Sequence, residues 1–247
     1  MSLGNIAILH YTAPPVIGGV EAVIAAQVRT FARVGCPASV IAGRGAAHAL
    51  PGAAEFIKID TVDSRHERMM AMGPMLDQGQ VPGSFEDMVD TLAQDLSPVL
   101  ARFDHVIVHN VLTKHFNLPL TAALHRLVDS GVIQHCIAWC HDFTWTSPRS
   151  RSKVFPRYPW DLLRRYRPDV TYVTVSQRRQ QSLAGLFDCP QEQIHVVYNG
   201  VDIGDILGVS KTGQALVERL GLLESDVNLL MPVRVTQAKY IEYALRT

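Results

Sequence analysis

Short apolar segments alternate with helix-like segments along most of this 247-residue chain. The first unit has an apolar run at residues 5–10, an amphipathic pattern over 20–34 and a second apolar run at 38–42. Gly35 is placed to end the helix between them. Continuous apolar strands joined by helices are typical of parallel sheets that are covered on both faces. The pattern therefore predicts an α/β fold with a doubly wound, mostly parallel, Rossmann-like sheet.

Further apolar runs extend this sheet to six or seven strands. They lie at residues 55–59, 104–109, 132–139, 171–175 and 194–197. A helix is predicted at 84–102, with Ser84 and Asp87 as a capping box and an interruption or a kink near Pro98. Another helix is predicted at 119–129, and a third begins after Ser176, which caps it. Residues 60–83 are predicted to be loop with some helix.

The last fifty residues suggest the start of a second domain. Residues 198–202 have the composition of a hinge, and the apolar segment 228–235 predicts a strand leading into a helix that ends at Thr247. We expect a Rossmann-like domain at 1–200, a linker with a helix at 201–227, and the first strand and helix of a truncated domain at 228–247. A strand without a sheet of its own is expected to pack on the first domain, to pair in a dimer or to be poorly ordered.

Charge limits the classes of partner. The chain has 23 basic and 23 acidic residues, so nucleic-acid binding driven by counterion release is disfavoured. Residues 149–167 are locally basic, with seven cations and one acid, Asp161. This segment is either a solvated face or a surface that attracts an acidic acceptor or an anionic membrane. On the second interpretation Arg149 and Arg151 are candidate acceptor-side residues.

The cysteines favour a reducing compartment. Cys136 and Cys140 precede His141, but two cysteines and one histidine do not complete a structural zinc site, so buried thiols are predicted and no metal is expected. No signal peptide and no apolar run long enough to span a membrane is present. A cytoplasmic protein is therefore predicted, and the basic segment also allows contact with the inner face of the membrane.

Polar residues at the ends of predicted strands mark the candidate site, since ligands bind beyond the carboxyl ends of parallel strands. Gly18 and Gly19 open the first helix, where they either bind an anion or form an ordinary tight turn. The surrounding loop has no G-x-G-x-x-G pattern, and no acid follows the second strand. A nicotinamide-dependent oxidoreductase or epimerase is therefore disfavoured.

Two strand ends carry histidines, each either structural or a contact for a sugar hydroxyl. They are His109, followed by Asn110, and His141, followed by Asp142. Ser176 is not predicted to be a nucleophile because no G-x-S-x-G surrounds it. Near the end of the chain, Arg234 and Lys239 span a predicted strand-to-helix turn and could grip a diphosphate.

Four segments together resemble the retaining glycosyltransferases of family 4, which have the GT-B fold. They are residues 13–21 (a Gly-Gly loop), 139–142 (a strand-end histidine), 173–176 with 194–202 (the approach to the hinge) and 229–239 (the opening of the second domain). The resemblance covers nearly the whole chain. Its most specific parts are Asn-Gly-Val-Asp at 199–202 and the later arginine and lysine.

The resemblance implies transfer of a sugar from a nucleotide-sugar donor to an acceptor hydroxyl, with retention and without a metal or cofactor. It implies that Gly18 and Gly19 lie near the donor phosphates, that His141 contacts the donor sugar in the catalytic site, and that Arg234 and Lys239 hold the diphosphate. The family's second domain also supplies two glutamates, which this chain lacks. We therefore expect no turnover by these 247 residues alone.

Another class of function also fits the sequence. The chain could be a non-catalytic module that binds a carbohydrate or a lipid-linked acceptor. Such a module needs the acceptor-side surface and no donor site.

Overall fold

The structure is a computed structural model that describes residues 4–200, 210–222, 224–234 and 236–246. The chain divides into two compact units, Met1–Asn199 and Gly200–Thr247. The strands of the first unit are β1 (Ile6–Leu9), β2 (Ala38–Ala42), β3 (Phe56–Lys58), β4 (His105–His109), β5 (His135–Cys140), β6 (Val170–Thr174) and β7 (Ile194–Val196). Its α-helices are α1 (Gly19–Arg33), α2 (Glu67–Asp77), α3 (Phe85–Leu100), α4 (Leu118–Asp129) and α5 (Gln177–Phe187).

The seven strands form one sheet in the order β3-β2-β1-β4-β5-β6-β7. Every neighbouring pair in it is parallel. Strand β1 is central, with Ile6 paired to Ala38 of β2 on one side and to His105 of β4 on the other. The order of the strands reverses at this point, as in Rossmann-like sheets. The predicted fold class is confirmed.

Both faces of the sheet are covered. On β1, Ala7 and Leu9 belong to an apolar cluster that includes residues of α3 and α4, whereas Ile6 and Ile8 belong to a second cluster that includes residues of α1. Successive side chains of a strand point to opposite faces, so a strand buried on both faces consists of consecutive apolar residues. This burial explains why the strands appear in the sequence as continuous apolar runs.

Residues 60–83 contain loop and one α-helix, α2, as predicted. The start and the interior of α3 differ from the predictions. Ser84 is the N-cap position of α3, but its side chain makes no capping hydrogen bond, so the predicted capping box is wrong. Helix α3 continues through Pro98. Pro98 leaves the carbonyl of Gln94 without a donor, and Gln94 is an exposed residue.

The predicted ends of two other helices are confirmed. Gly35 has a φ of 77° immediately after the last turn of α1, a conformation that favours glycine. Ser176 caps α5, since its Oγ accepts a hydrogen bond of 3.2 Å from the backbone N–H of Arg179.

The second unit contains helices α6 (Lys211–Leu220) and α7 (Ile241–Ala244). The strand predicted at 228–235 is not formed: residues 228–234 have no regular structure and are exposed, and position 235 lies outside the described residues. A strand needs a neighbouring strand for its backbone hydrogen bonds, and the described part of this unit contains none. Position 247, the predicted end of the last helix, and positions 201–209 of the linker also lie outside the described residues.

Among the parts of the chain that the structure describes, no helix is both long enough and apolar enough to cross a membrane.

Candidate functional site

The candidate site lies at the carboxyl edge of the sheet, where the strand order reverses between β1 and β4. His10 follows β1, His109 is the last residue of β4, and His141 follows β5. All three histidines are buried. Because adjacent parallel strands end at the same edge, the three side chains come together although about 30 to 130 positions of sequence separate them.

His109 lies at the centre of this group, and both of its ring nitrogens are occupied. Its Nδ1 lies 3.0 Å from Nε2 of His141, and its Nε2 lies 2.9 Å from Oε1 of Gln27 on α1. The ring of Trp139 stacks against it, with centroids 5.8 Å apart. His109 is fully buried. It therefore supports the site from inside the protein. In this position His109 is not accessible to a ligand, although it was predicted to be an acceptor-side residue.

Burial sets the charge of these histidines. Desolvation, followed by the positive charges of His141 and His10, holds the pKa of His109 well below its ordinary value. Desolvation and then His10 lower the pKa of His141 to about 4. His10 also has a lowered pKa because of burial, although Nδ1 of His10 donates to the carbonyl of His109 at 2.9 Å. The group is therefore uncharged near pH 7, which suits hydrogen bonding to hydroxyl groups.

Asn110 holds the two loops that follow β4 and β5 together. Its Oδ1 accepts hydrogen bonds from the backbone N–H groups of His141, at 2.8 Å, and Asp142, at 3.2 Å. Its φ is 61°, in the left-handed region that asparagine tolerates better than most residues. The predicted rim position of Asn110 is correct in place, but its amide oxygen is used for the protein's own backbone.

The Gly18-Gly19 turn contains a carboxylate of its own. Glu21, in the first turn of α1, is buried, and its Oε1 accepts a hydrogen bond of 2.5 Å from Oγ1 of Thr12. A Cβ atom on Gly18 would collide with Oε2 of Glu21, whereas Gly19 has open space around it. Glu21 therefore supplies the negative charge that a helix N-terminus favours. This arrangement opposes a donor phosphate immediately beside Gly18.

A charged pair lies at the outer part of the rim. Nη2 of Arg179 on α5 lies 2.7 Å from Oδ1 of Asp142. Lys114, in the loop after β4, lies over the ring of Phe116 with its Nζ 4.9 Å from the centroid. Burial lowers the pKa of Lys114, while the charge of Asp142 raises it. Two cations, Arg179 and Lys114, thus lie near the carboxylate of the predicted site residue Asp142.

Several cations of the 149–167 segment form ion pairs within the first unit. Lys153 bonds Asp77 at 2.6 Å, and Arg167 bonds Asp129 at 2.7 Å and Asp169 at 2.6 Å. Arg165 pairs with Asp161, whereas Arg157 contacts the carbonyl of Gly79 and Arg164 lies over the ring of Trp145. Asp77, Asp129 and Asp169 lie outside the segment, so the sequence run overstates the excess charge. Arg151 is exposed in a short 3-10 turn, and contact with a membrane stays a prediction.

The two strand cysteines are buried free thiols, as predicted. Cys136 and Cys140 lie on the same face of β5, and burial raises the pKa of each to about 12. Such thiols remain protonated and unreactive at neutral pH.

The predicted diphosphate residues belong to the second unit. Arg234 is exposed in a segment without regular structure, and Lys239 ends a 3-10 turn, Gln237–Lys239. Their role stays a prediction.

Sequence reasoning missed Gln27, Glu21, Thr12 and His10. His10 could have been found by the rule that selected His109 and His141, since it too follows a strand. Gln27 gives no such signal, because it is one polar residue of an amphipathic helix and only the packing of α1 brings it to His109.

The fold and this edge define a Rossmann-like α/β protein with polar residues at the switch point of its sheet. A sequence model of Glycosyltransferase Family 4 matches residues 17–205, which is more than half of the chain, and the chain belongs to this family.

The comparison with solved structures gives a distant match. The UDP-GlcNAc 2-epimerase from Neisseria meningitidis, bound to UDP-GlcNAc, is 13% identical, with a TM-score of 0.40 over 91% of this chain and 54% of that chain. This chain thus spans about half the length of that structure. No curated protein sequence matches this chain.

Proposed function

We propose that this chain forms the acceptor-side part of a retaining glycosyltransferase, which transfers a sugar from a nucleotide-sugar donor to an acceptor hydroxyl. Membership of Glycosyltransferase Family 4 supports the reaction class. The observation that carries the site is His141, an uncharged imidazole at a strand end. Asn110 fixes its backbone and His109 fixes its ring. A ring held in this way can bond a sugar hydroxyl with little loss of side-chain entropy.

We assign the donor diphosphate and the acceptor to different residues of the chain. Glu21 makes the Gly18-Gly19 turn of the first unit unfavourable for a phosphate, so the donor diphosphate is assigned to cations elsewhere, with Arg234 and Lys239 as the candidates. A departing nucleoside diphosphate requires fixed positive charge, which arginine and lysine supply. We propose that the reaction needs no metal or cofactor. The acceptor is assigned to the rim around His141, Asp142 and Arg179.

A mixed assay tests this function. The full-length gene product is incubated with a panel of UDP-, GDP- and ADP-sugars and a panel of glycan and polyprenyl-phosphate acceptors, and release of nucleoside diphosphate is followed. We expect release that depends on one acceptor and a product with the donor's anomeric configuration by NMR. An inverted product would refute retention.

The same assay separates the alternative of a non-catalytic acceptor-binding module, which the buried Glu21 favours because it disfavours phosphate at the turn. Such a module would bind an acceptor in saturation-transfer NMR and release no nucleoside diphosphate with any donor. A nicotinamide-dependent oxidoreductase or epimerase would instead bind the dinucleotide tightly, and the same carboxylate opposes its pyrophosphate.

A further inference from the structure

Three side chains form a continuous hydrogen-bonded chain beneath the rim. It runs from Oε1 of Gln27 to Nε2 of His109, at 2.9 Å, and from Nδ1 of His109 to Nε2 of His141, at 3.0 Å. The rings of Trp139 and His141 enclose His109 with centroid distances of 5.8 and 5.3 Å. His141, at the end of this hydrogen-bonded chain, follows β5 at the carboxyl edge of the sheet.

The positions of the protons along this chain depend on one another. Burial lowers the pKa of both histidines, so each ring carries a single N–H near pH 7. An amide oxygen only accepts hydrogen bonds. Nε2 of His109 must then donate to Gln27, which leaves Nδ1 of His109 as an acceptor. Nε2 of His141 must donate to that nitrogen, so Nδ1 of His141 carries no proton.

We propose that Gln27 is a positioning residue that acts through His109 to set the tautomer of His141, and thereby makes Nδ1 of His141 a hydrogen-bond acceptor for a substrate hydroxyl. The nature of that hydroxyl, on a sugar or an acceptor, rests on the proposed function. The hydrogen-bonded chain Gln27–His109–His141, which we call the relay, rests only on these three side chains.

The Gln27 amide is what the relay depends on. Its Nε2 is buried and has no hydrogen-bond partner among the described residues. Rotation of the amide by half a turn would present Nε2 to His109 and reverse every proton in the chain, so that Nδ1 of His141 would be a donor. The orientation of one buried amide thus selects between a hydroxyl-accepting and a hydroxyl-donating His141.

The tautomers can be measured directly in the uniformly 15N-labelled chain. Long-range 1H–15N correlation spectra at pH 7 distinguish protonated from unprotonated ring nitrogens, and the His141→Gln variant identifies the His141 signals. We expect one tautomer of His141 with the proton on Nε2, and a scalar coupling across the hydrogen bond to Nδ1 of His109. A proton on Nδ1 of His141, or no coupling, would overturn the proposal without any variant.

Two substitutions then test the role of Gln27. Gln27→Met keeps the length of the side chain but removes the acceptor, so His141 should lose its single tautomer and show both forms. Gln27→Glu restores an acceptor without a donor and should restore the Nε2–H form. The matched control is Gln181→Met, at an exposed position of α5, which should leave the His141 signals unchanged.

An unchanged His141 tautomer in folded Gln27→Met would refute the role of Gln27. These spectra need no turnover, so failure to find sugar transfer would refute the proposed function and leave the relay intact.

Discussion

Nδ1 of His109 lies 3.0 Å from Nε2 of His141, and a single proton serves both nitrogens. The first ring is fully buried, and the second follows β5 at the carboxyl edge of the sheet. A histidine that would titrate near pH 6.5 in water is thereby converted into a fixed, uncharged hydrogen-bonding group.

Replacing His141 tests its contact with substrate. His141→Ala should lower kcat/KM for sugar transfer by about 10- to 100-fold, which corresponds to the loss of one or two hydrogen bonds, about 1.4–2.7 kcal/mol. The matched control, His195→Ala, removes an exposed imidazole on β7 and should leave the rate unchanged. Equal rates for both variants would contradict the assignment of His141 to the site.

The hydrogen bonds of Asn110 join the loop after β4 to the loop after β5, and we call this contact the Asn110 clamp. Substitution of Asn110 tests its contribution to stability. Asn110→Ala removes the acceptor for two backbone N–H groups and places a Cβ-bearing residue at a φ of 61°. Urea unfolding should show a loss of about 2–4 kcal/mol. Asn110→Gly loses the same hydrogen bonds but tolerates the backbone angle, so it should be about 1 kcal/mol more stable than the alanine variant. Equal stabilities would show that the angle costs nothing.

Gly18 and Gly19 should respond differently to alanine. Gly18→Ala pushes the carboxylate of Glu21 away and breaks its bond to Thr12, for a loss of about 1–2 kcal/mol in the free energy of unfolding. Gly19→Ala meets open space and should leave stability unchanged or slightly raised. Adding Gly18→Ala to Glu21→Ala should then cost little. An equal cost in both backgrounds would rule out the collision as its cause.

The first unit should lose stability as the pH falls below about 6.5. Burial lowers the pKa of His115, His125 and His141 to about 4. The unfolded chain therefore binds protons that the folded chain does not, and stability is lost as the pH falls from 6.5 towards 4. Each histidine contributes up to about 1.4 kcal/mol per pH unit.

Urea unfolding between pH 7 and 5 measures this slope, above the range in which the lowered pKa values of Glu55 and Asp169 add their own losses. His125→Gln should make the slope shallower, whereas the exposed control His195→Gln should not. A slope that is the same in all three proteins would exclude His125 as a source of the acid sensitivity.

The cysteines should differ in reactivity. With pKa values raised to about 12 by burial, Cys136 and Cys140 should resist a thiol reagent in the folded chain at pH 8. The partly exposed Cys36 and Cys189 should react first. Mass spectrometry of the labelled peptides, with a urea-unfolded sample as control, reads the order. Early labelling of Cys140 would indicate that β5 opens readily.

The strands and the edge that carries the site could be predicted from the sequence because each depends on local pattern. A strand buried on both faces must be apolar throughout, and parallel strands end together, which was enough to select His109 and His141. The charges of the 149–167 segment could not be interpreted in this way. Asp77 and Asp129, which neutralise Lys153 and Arg167, are distant in sequence.

The functions of individual rim atoms also could not be predicted. Asn110 and His109 are residue types that often contact ligands. Their polar atoms instead form hydrogen bonds with Asp142, His141 and Gln27. Which group a buried side chain bonds depends on how helices pack over the sheet. The prediction of a strand at the apolar segment 228–234 was wrong for a related reason. A strand depends on a partner strand that its own sequence does not contain.

The Asn110 clamp makes two loops mechanically one. A single amide oxygen holds the backbone after β5 to the turn after β4, so neither loop can adapt its shape to a ligand without the other. Ile17, 82% exposed in the loop before α1, lies outside this clamp. The loop around Ile17 can therefore change its shape without moving the two loops that Asn110 joins.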